Sequence, residues 1–147
     1  MKLKVASIVG LLVLIALPAR AQISTGVRVG ASANPDQFFF GGHVESKELL
    51  ENVTFRPNVE VGIGNDVTVI ALNFELAYKF PAKQGWRPYV VAGPALNIVD
   101  TAADTGAHGG FNIGGGAEHR SGLFGEVKFG AMDSPDFKIG FGFRFTR

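Results

Sequence analysis

The feature that most constrains the fold of this chain is a strict two-residue alternation of apolar and polar positions. It is clearest over residues 137–145, where every second residue is phenylalanine or isoleucine and the residues between them are lysine, glycine or arginine. Successive side chains of a β-strand point to opposite faces of a sheet, so this pattern is typical of a strand with two unlike faces. An amphipathic helix would instead place apolar residues three or four positions apart. The C-terminal segment is therefore predicted to be a strand.

The same alternation recurs along the chain and predicts an all-β protein. The eight candidate strands cover residues 23–32, 37–45, 55–64, 66–80, 86–99, 108–119, 123–131 and 137–145. Turn-forming residues separate them, such as Asn34-Pro35-Asp36 and Ser134-Pro135-Asp136. The segment 45–53 could hold one or two helical turns. With 147 residues, we expect one domain built as a meander of hairpins.

Residues 1–21 are predicted to be a cleaved secretory signal peptide, which leaves residues 22–147 as the folded domain. Lys2 and Lys4 form the basic start, 6–18 is the apolar stretch, and Ala19-Arg20-Ala21 supplies small residues before the cut. An uncleaved membrane anchor is the alternative, but the stretch is short for a spanning helix. The chain has no cysteine, which excludes a disulfide scaffold, a thiolate zinc site and a cysteine nucleophile. These features indicate a bacterial envelope protein.

Two kinds of closed sheet could bury the edges of eight strands: a soluble barrel with its apolar face inside, or a membrane barrel with its apolar face on lipid. Three observations favour the membrane barrel. The apolar faces carry no charged residue, and the charged faces are rich in glycine, as a narrow filled interior requires. Aromatic residues also cluster beside one turn, at Tyr78, Phe80 and Trp86, as in an interfacial girdle. We therefore predict an eight-stranded antiparallel up-and-down transmembrane β-barrel.

The chain resembles the small outer-membrane β-barrel proteins of Gram-negative bacteria, the OmpA/OmpX-like group, over residues 22–147. The resemblance rests on the architecture and on the segments FRPNVEVG (55–62), WRPYVVAG (86–93) and FKIGFGFRF (137–145). The last of these is similar to the terminal-strand signal read by the barrel assembly machinery, and its apolar residues are Phe137, Ile139, Phe141, Phe143 and Phe145. Members of the group usually end at the terminal phenylalanine, whereas Thr146 and Arg147 follow here.

The resemblance also implies an orientation, a location and partners. Both termini would lie in the periplasm, with the connections near 45–54, 81–85 and 120–122. The turns near 33–36, 64–66, 99–107 and 132–136 would face outward from the cell. The expected location is the outer membrane, and the expected partners are its lipid, lipopolysaccharide and, during biogenesis, the assembly machinery. The near-neutral net charge of +1 argues against a nucleic-acid partner, and we expect a monomer without a cofactor.

The inward faces of the predicted strands carry a mixed set of charges that suggests interlocked ion pairs. These residues are Arg28, Arg56, Lys79, Arg87, Lys128, Lys138, Arg144, Glu45, Glu60, Glu75, Glu118 and Glu126, with His43 beside them. An unpaired buried charge is costly, so such residues should pair. A structural plug is the favoured interpretation and a narrow ion path is the alternative.

Two of these residues allow a prediction about partners. Glu75 and Lys79 lie on one face of one strand but about 13 Å apart, at roughly 3.3 Å per residue. Each should pair with another strand, and Glu60 and Arg87 are the nearest candidates. Glu75 should lie beside Gly93 and Ala95, with room to reach Arg56 or Lys128 across the lumen.

An enzymatic interpretation has weak support. Lipid A deacylases, which are also small outer-membrane barrels, use a histidine and a serine two residues apart with an acidic partner, and His119, Ser121 and Glu126 loosely resemble this. Gly122 stands where that family has an asparagine. A strand-end histidine beside a Ser-Gly turn is the favoured interpretation. The three histidines, His43, His108 and His119, lie on different strands, which argues against a histidine metal site.

All six aspartates fall at the end of the barrel predicted to face outward. They are Asp36, Asp66, Asp100, Asp104, Asp133 and Asp136. Aspartate suits turns, which explains the pattern simply. The functional alternative is an acidic rim that attracts Ca²⁺ or Mg²⁺.

Taken together, the residues favour a non-enzymatic outer-membrane barrel with a structural or surface-interaction role. A small ion-conducting pore and a lipid A-modifying enzyme remain the alternatives.

Overall fold

A computed structural model describes residues 23–145, which form one closed antiparallel sheet of eight strands. The strands are β1 (Ser24–Ala33), β2 (Gln37–Glu45), β3 (Val53–Gly64), β4 (Val67–Lys79), β5 (Trp86–Thr101), β6 (Thr105–His119), β7 (Leu123–Met132) and β8 (Phe137–Phe145). Each strand pairs with its sequence neighbour, and β1 pairs with β8 to close the barrel. The predicted eight-stranded up-and-down barrel is therefore confirmed. The predicted signal peptide, Thr146 and Arg147 lie outside the described residues.

The barrel has two ends that carry different connections. The terminal end holds both ends of the described chain, since Thr25 pairs with Phe145, together with connections 46–52, 80–85 and 120–122. The distal end holds turns 34–36, 65–66, 102–104 and 133–136. No helix long and apolar enough to cross a membrane occurs in the described part of the chain.

The structure changes two boundaries expected from the sequence. The region 99–107 was expected to be a loop, but β5 continues to Thr101 and β6 begins at Thr105. The two strands hold each other in this region through a register that runs from Trp86↔His119 to Asp100↔Thr105. The segment 45–53 forms turns closed by a bridge between Leu50 and Val53, with no helical turn.

The outer surface of the wall is an apolar band. Its side chains include Val27, Phe40, Phe74, Ile113 and Phe141, each 46–59% exposed. Aromatic contacts mark both ends of the band: Tyr78–Phe80 and Phe143–Phe145 at the terminal end, and Phe129–Phe137 at the distal end, with ring centroids 5.1, 5.6 and 5.5 Å apart. Water would penalise so large an apolar surface, whereas lipid would not.

Candidate functional site

Inward side chains from all eight strands meet in the lumen, where six basic and five acidic side chains form one ion-pair network. Its members are Arg28, Arg56, Lys79, Lys128, Lys138, Arg144, Glu45, Glu60, Glu75, Glu118 and Glu126. The two-residue period of each strand aims these residues inward while their neighbours face outward. The network is the candidate functional site because it occupies the path along the barrel axis.

The part of the network nearest the terminal end is built on two carboxylates that share three cations. Arg56 Nε donates to Glu45 at 2.7 Å, and an Arg56 Nη atom lies 3.8 Å from Glu118. Lys79 donates to Glu45 and, at 2.9 Å, to Glu118. Arg144 lies 3.6 and 3.5 Å from the same two carboxylates. Strands β2, β3, β4, β6 and β8 are thereby tied together across the lumen.

The middle of the network is centred on Glu126. Arg28 donates to Glu126 Oε1 at 2.6 Å, and Lys128 Nζ lies 3.2 Å from the same oxygen. Tyr89 donates its hydroxyl to Glu126 Oε2 at 2.8 Å. The Arg56 guanidinium lies over the Tyr89 ring, 4.5 Å from its centroid. One carboxylate thus accepts from several donors in a space that excludes solvent.

Two further carboxylates extend the network toward the distal end. Glu60 accepts from Lys138 at 2.7 Å and from Arg28 at 3.4 Å. Glu75 accepts from Lys128 at 2.8 and 3.0 Å, one distance to each carboxylate oxygen. The Glu75 residue is 0% exposed, so its charge is balanced inside the protein.

Arg56 links the two parts of the network. Among the described residues, its 3.6 Å approach to Glu126 is the one ion pair that joins the group around Glu45 and Glu118 to the group around Glu126. The Arg56 residue is 1% exposed. Loss of this side chain would therefore leave three buried carboxylates short of a partner.

A neutral layer adjoins the network toward the distal end, and we define it by the inward residues Val69, Ala71, Asn73, Ala95, Asn97 and Asn112. Its amides form a chain: Asn112 Nδ2 donates to Asn73 Oδ1 at 2.8 Å, and Asn73 Nδ2 donates to Asn58 Oδ1 at 2.7 Å. Asn58 Nδ2 then donates to Glu75 at 3.0 Å. The amides thus extend the hydrogen-bonded interior from the network toward the distal end without adding charged groups.

Glycines make room for the large inward side chains. A Cβ at Gly26 would overlap the His43 ring, and one at Gly142 would overlap the Phe124 ring. The His43 and Phe124 rings meet edge to face with centroids 5.3 Å apart. Small residues therefore alternate with large ones around the lumen, as a narrow barrel requires.

The structure changes two details of the expected network and confirms a third. Arg87 was expected inside it, but this residue lies at the very start of β5, where its side chain is 31% exposed, 3.7 Å from Glu48. Lys79 pairs with Glu45 and Glu118 rather than with Glu60. The expectation that Glu75 reaches Arg56 or Lys128 across the lumen is confirmed, with Lys128 as the partner.

Sequence reasoning missed Tyr89, Phe39 and Phe124 as interior residues, because the inward set was chosen by charge. Their parity was the available signal: Phe124 lies two residues before Glu126, and Tyr89 lies two residues after Arg87. All three are at most 5% exposed. The asparagine chain was also missed, although Asn73 had been placed on the polar face.

The suggested deacylase residues do not form a triad. His119 Nδ1 and Ser121 Oγ lie 2.9 Å apart in the β6–β7 turn, and the His119 ring packs on Trp86. Glu126 belongs to the lumen, where Arg28 and Tyr89 hold it. The barrel wall separates the acid from the histidine, because inward and outward residues alternate along each strand.

The six aspartates lie on the distal turns or the adjoining strand ends without converging. Asp136 accepts from Asn34 at 2.9 Å, and Asp100 accepts from Thr105 at 2.6 Å. Within residues 23–145, no group of three or more histidine, aspartate or glutamate side chains could hold a metal ion. The rim is acidic in composition, and its attraction for Ca²⁺ or Mg²⁺ stays a prediction.

The residues expected to carry the assembly signal all lie on the outer face of β8. Phe137, Ile139, Phe141, Phe143 and Phe145 are each 36–59% exposed. Their side chains face away from the lumen, on the strand that closes the barrel against β1.

Comparison with known proteins is informative at the level of structure. No protein-family model matches the chain, and no curated protein matches it by sequence. Neisserial surface protein A (NspA) aligns with a TM-score of 0.66 at 11% identity, over 85% of this chain and 96% of that one. The N-terminal β-barrel domain of Pseudomonas aeruginosa OprF aligns with a TM-score of 0.58 at 19% identity, over 86% and 100%. The outer membrane enzyme PagL aligns with a TM-score of 0.55 at 11% identity, over 84% and 99%.

This chain has the fold of the eight-stranded outer-membrane β-barrels. The identities establish the fold alone. One neighbour is described as an enzyme and another as a surface protein, so the outer-membrane barrel fold is compatible with either class. The function has to be argued from the lumen and from the two ends of this barrel.

Proposed function

We propose that this chain is a non-enzymatic outer-membrane barrel with a structural or surface-interaction role, whose lumen is closed by the ion-pair network. The observation that carries the proposal is the network itself, which crosses the lumen from β1, β2 and β3 to β6, β7 and β8. A conducting path needs water along the axis, whereas here buried side chains bind one another. Opening the network would strand buried charges at a cost of several kcal/mol.

Planar-bilayer recording tests the closed lumen. We expect the refolded protein to show no steady open-channel current. The matched variant is Arg56→Ala, which removes the link between the two parts of the network and should raise leak current. The control variant Asp104→Asn lies in a turn at the distal end and leaves the lumen unchanged, so it should conduct no more than the parent protein. A steady current through the parent protein would overturn the proposal.

A small pore is the second candidate, and one observation favours it. Nε and Nη2 of Arg28 are buried without a hydrogen-bond partner among the described residues, and bases exceed acids in the network. Such donors favour hydration of the lumen and anions over cations. Current that is steady in the parent protein and selective for anions would support this function.

The outer membrane is the proposed location, reached through cleavage after residue 21 and insertion by the assembly machinery. The apolar band would contact the lipid and lipopolysaccharide. We propose a monomer with no cofactor and no nucleic-acid partner, in which the distal end faces outward from the cell. The band and its aromatic ends support the membrane location.

Trp86 offers a sharp test of membrane insertion, because the chain has one tryptophan and this residue is 44% exposed at the terminal end of the band. Brominated lipids quench tryptophan fluorescence at short range. Quenching should be strongest for bromines placed near the headgroups and weaker for bromines deep in the acyl chains. Absence of quenching at every depth, with a gel mobility that heating does not change, would contradict membrane insertion.

The enzymatic alternative is tested through the 2.9 Å contact between His119 and Ser121. Mass spectrometry of lipid A should show no change when the parent protein is expressed. If the parent protein removed an acyl chain from lipid A and the Ser121→Ala variant did not, the protein would be a deacylase and the non-enzymatic proposal would be refuted.

A further inference from the structure

The β7–β8 turn folds inward over the distal mouth of the barrel. Ser134 and Pro135 at its tip are buried, although Asp133 and Asp136 on either side are exposed. The chain turns inward at Met132, which has a left-handed backbone with φ of 60° while its side chain is 75% exposed. Turn tips of hairpins ordinarily face solvent, so the burial of this one requires an explanation.

A small number of bonds hold the tip in place. Asn97 Nδ2 donates to the Asp133 carbonyl oxygen at 3.0 Å, and it lies 3.5 Å from Ser134 Oγ. The Asp133 amide donates to the Gly109 carbonyl oxygen at 3.4 Å. The last two distances are long for hydrogen bonds. Asn97 is therefore the main latch on Asp133 and Ser134, whereas Asp136 is held separately, by Asn34 Nδ2 at 2.9 Å and by the Gly130 amide at 3.1 Å.

Two glycines create the space that the tip occupies. A Cβ at Gly110 would overlap the Ser134 hydroxyl, and one at Gly130 would overlap the Pro135 carbonyl oxygen. The adjacent Gly109 differs, since a Cβ there would meet nothing within 4 Å. The barrel wall therefore has room for the tip only because the two inward positions beside it are glycines.

The tip covers the neutral layer rather than the charges. Asn97 reaches the tip, and it faces Ala71 in the register of β4 and β5. Oδ1 of Asn97 and Oδ1 of Asn112 are buried without a hydrogen-bond partner among the described residues. Such carbonyl oxygens are acceptors suited to water or to another small hydrogen-bond donor.

We propose that residues 133–135 form a movable cap that closes the distal mouth independently of the ion-pair network. When the cap lifts, water and small polar solutes reach the neutral layer and its amide oxygens. The weak latch makes this lifting a local opening of one hairpin tip, while the sheet and the network stay intact. The proposal goes beyond the closed lumen, since it places a second and separate closure at the distal end.

Thiol labelling tests the cap, because the chain has no cysteine of its own. Ala71→Cys places one thiol in the neutral layer, at a residue that is 4% exposed. A charged methanethiosulfonate reagent should label it slowly in the parent background. Gly110→Ala should push Ser134 outward, and we expect labelling about tenfold faster when a contact of this strength is lost. Gly109→Ala is the matched control and should leave the rate unchanged.

A second variant weakens the cap by removing a hydrogen bond instead of by steric overlap. Asn97→Asp preserves the size of the side chain but removes the donor that holds the Asp133 carbonyl, so it should also speed labelling. Heat-dependent gel mobility verifies that each variant is folded. Conductance should stay absent in both cap variants, because the network still closes the lumen. Fast labelling in the parent background, or equal rates in the folded Gly109→Ala, Gly110→Ala and Asn97→Asp variants, would overturn the cap.

Discussion

The ion-pair network and the neutral layer both fill the barrel interior, the first with paired charges and the second with hydrogen-bonded amides and small apolar side chains. In the network, Glu126 is shared among Arg28, Arg56 and Lys128 within 3.6 Å. In the neutral layer, Asn112 donates one hydrogen bond to Asn73, and Asn73 donates one to Asn58. Buried charges hold their partners because separation is costly, whereas amides can exchange partners at lower cost. We therefore expect the network to close the lumen more firmly than the hydrogen bonds at the distal end do.

The largest expected effect comes from breaking the network at its link. Arg56→Ala should destabilise the barrel by about 3–5 kcal/mol, because it takes one cation from each of three buried carboxylates, Glu45, Glu118 and Glu126. Arg87→Ala is the matched control, since its partly exposed pair with Glu48 should contribute about 1 kcal/mol or less. Urea unfolding in lipid vesicles measures both. Equal losses for the two variants would show that the network does not concentrate stability at Arg56.

The next effect concerns the outer wall of the barrel. There, the loss of stability caused by an arginine substitution should depend on how deep the residue lies in the bilayer. Phe74→Arg should cost about 2–4 kcal/mol if this residue meets lipid near the middle of the bilayer. Tyr78→Arg, on the same face of β4 but at its terminal end, should cost about 0–1 kcal/mol. The same unfolding assay ranks them. A reversed order would favour a barrel whose outer wall faces water.

A smaller effect should come from the neutral layer. Asn73→Ala removes an acceptor from Asn112 and a donor from Asn58, and should cost about 1–3 kcal/mol. The exposed Lys47→Ala serves as the reference, with a change within about 0.5 kcal/mol. A loss for Asn73→Ala as large as that for Arg56→Ala would remove the distinction between the two regions.

The finest test is a double-mutant cycle on Glu75. Glu75→Gln with Lys128→Met should show a coupling energy of about 1–3 kcal/mol, because the two side chains are in direct contact. Glu75→Gln with Arg56→Ala should be closer to additive, although the two residues face each other in the register of β3 and β4. Strict additivity in both cycles would indicate a hydrated lumen and favour the pore.

The sequence by itself determined the wall of this barrel. The inward position of Glu60, Glu75 and Lys128 follows from a period of two, which is a local property of the backbone. The strand number and antiparallel order follow from the short turns between the alternating segments. Turn residues such as Asn65 and Asp66 fixed where strands end. Even the missed interior position of Phe124 was encoded in its parity with Glu126.

The tertiary structure alone decided which inward residues meet. Closure of the sheet brings Lys128 to Glu75 and Lys79 to Glu118, although nothing local relates these residues. The outlying Arg87 and the inward tip at Ser134 depend on the same closure. Pairing across a lumen depends on the stagger of all eight strands and on the reach of each side chain, and neither quantity can be read from spacing along one strand.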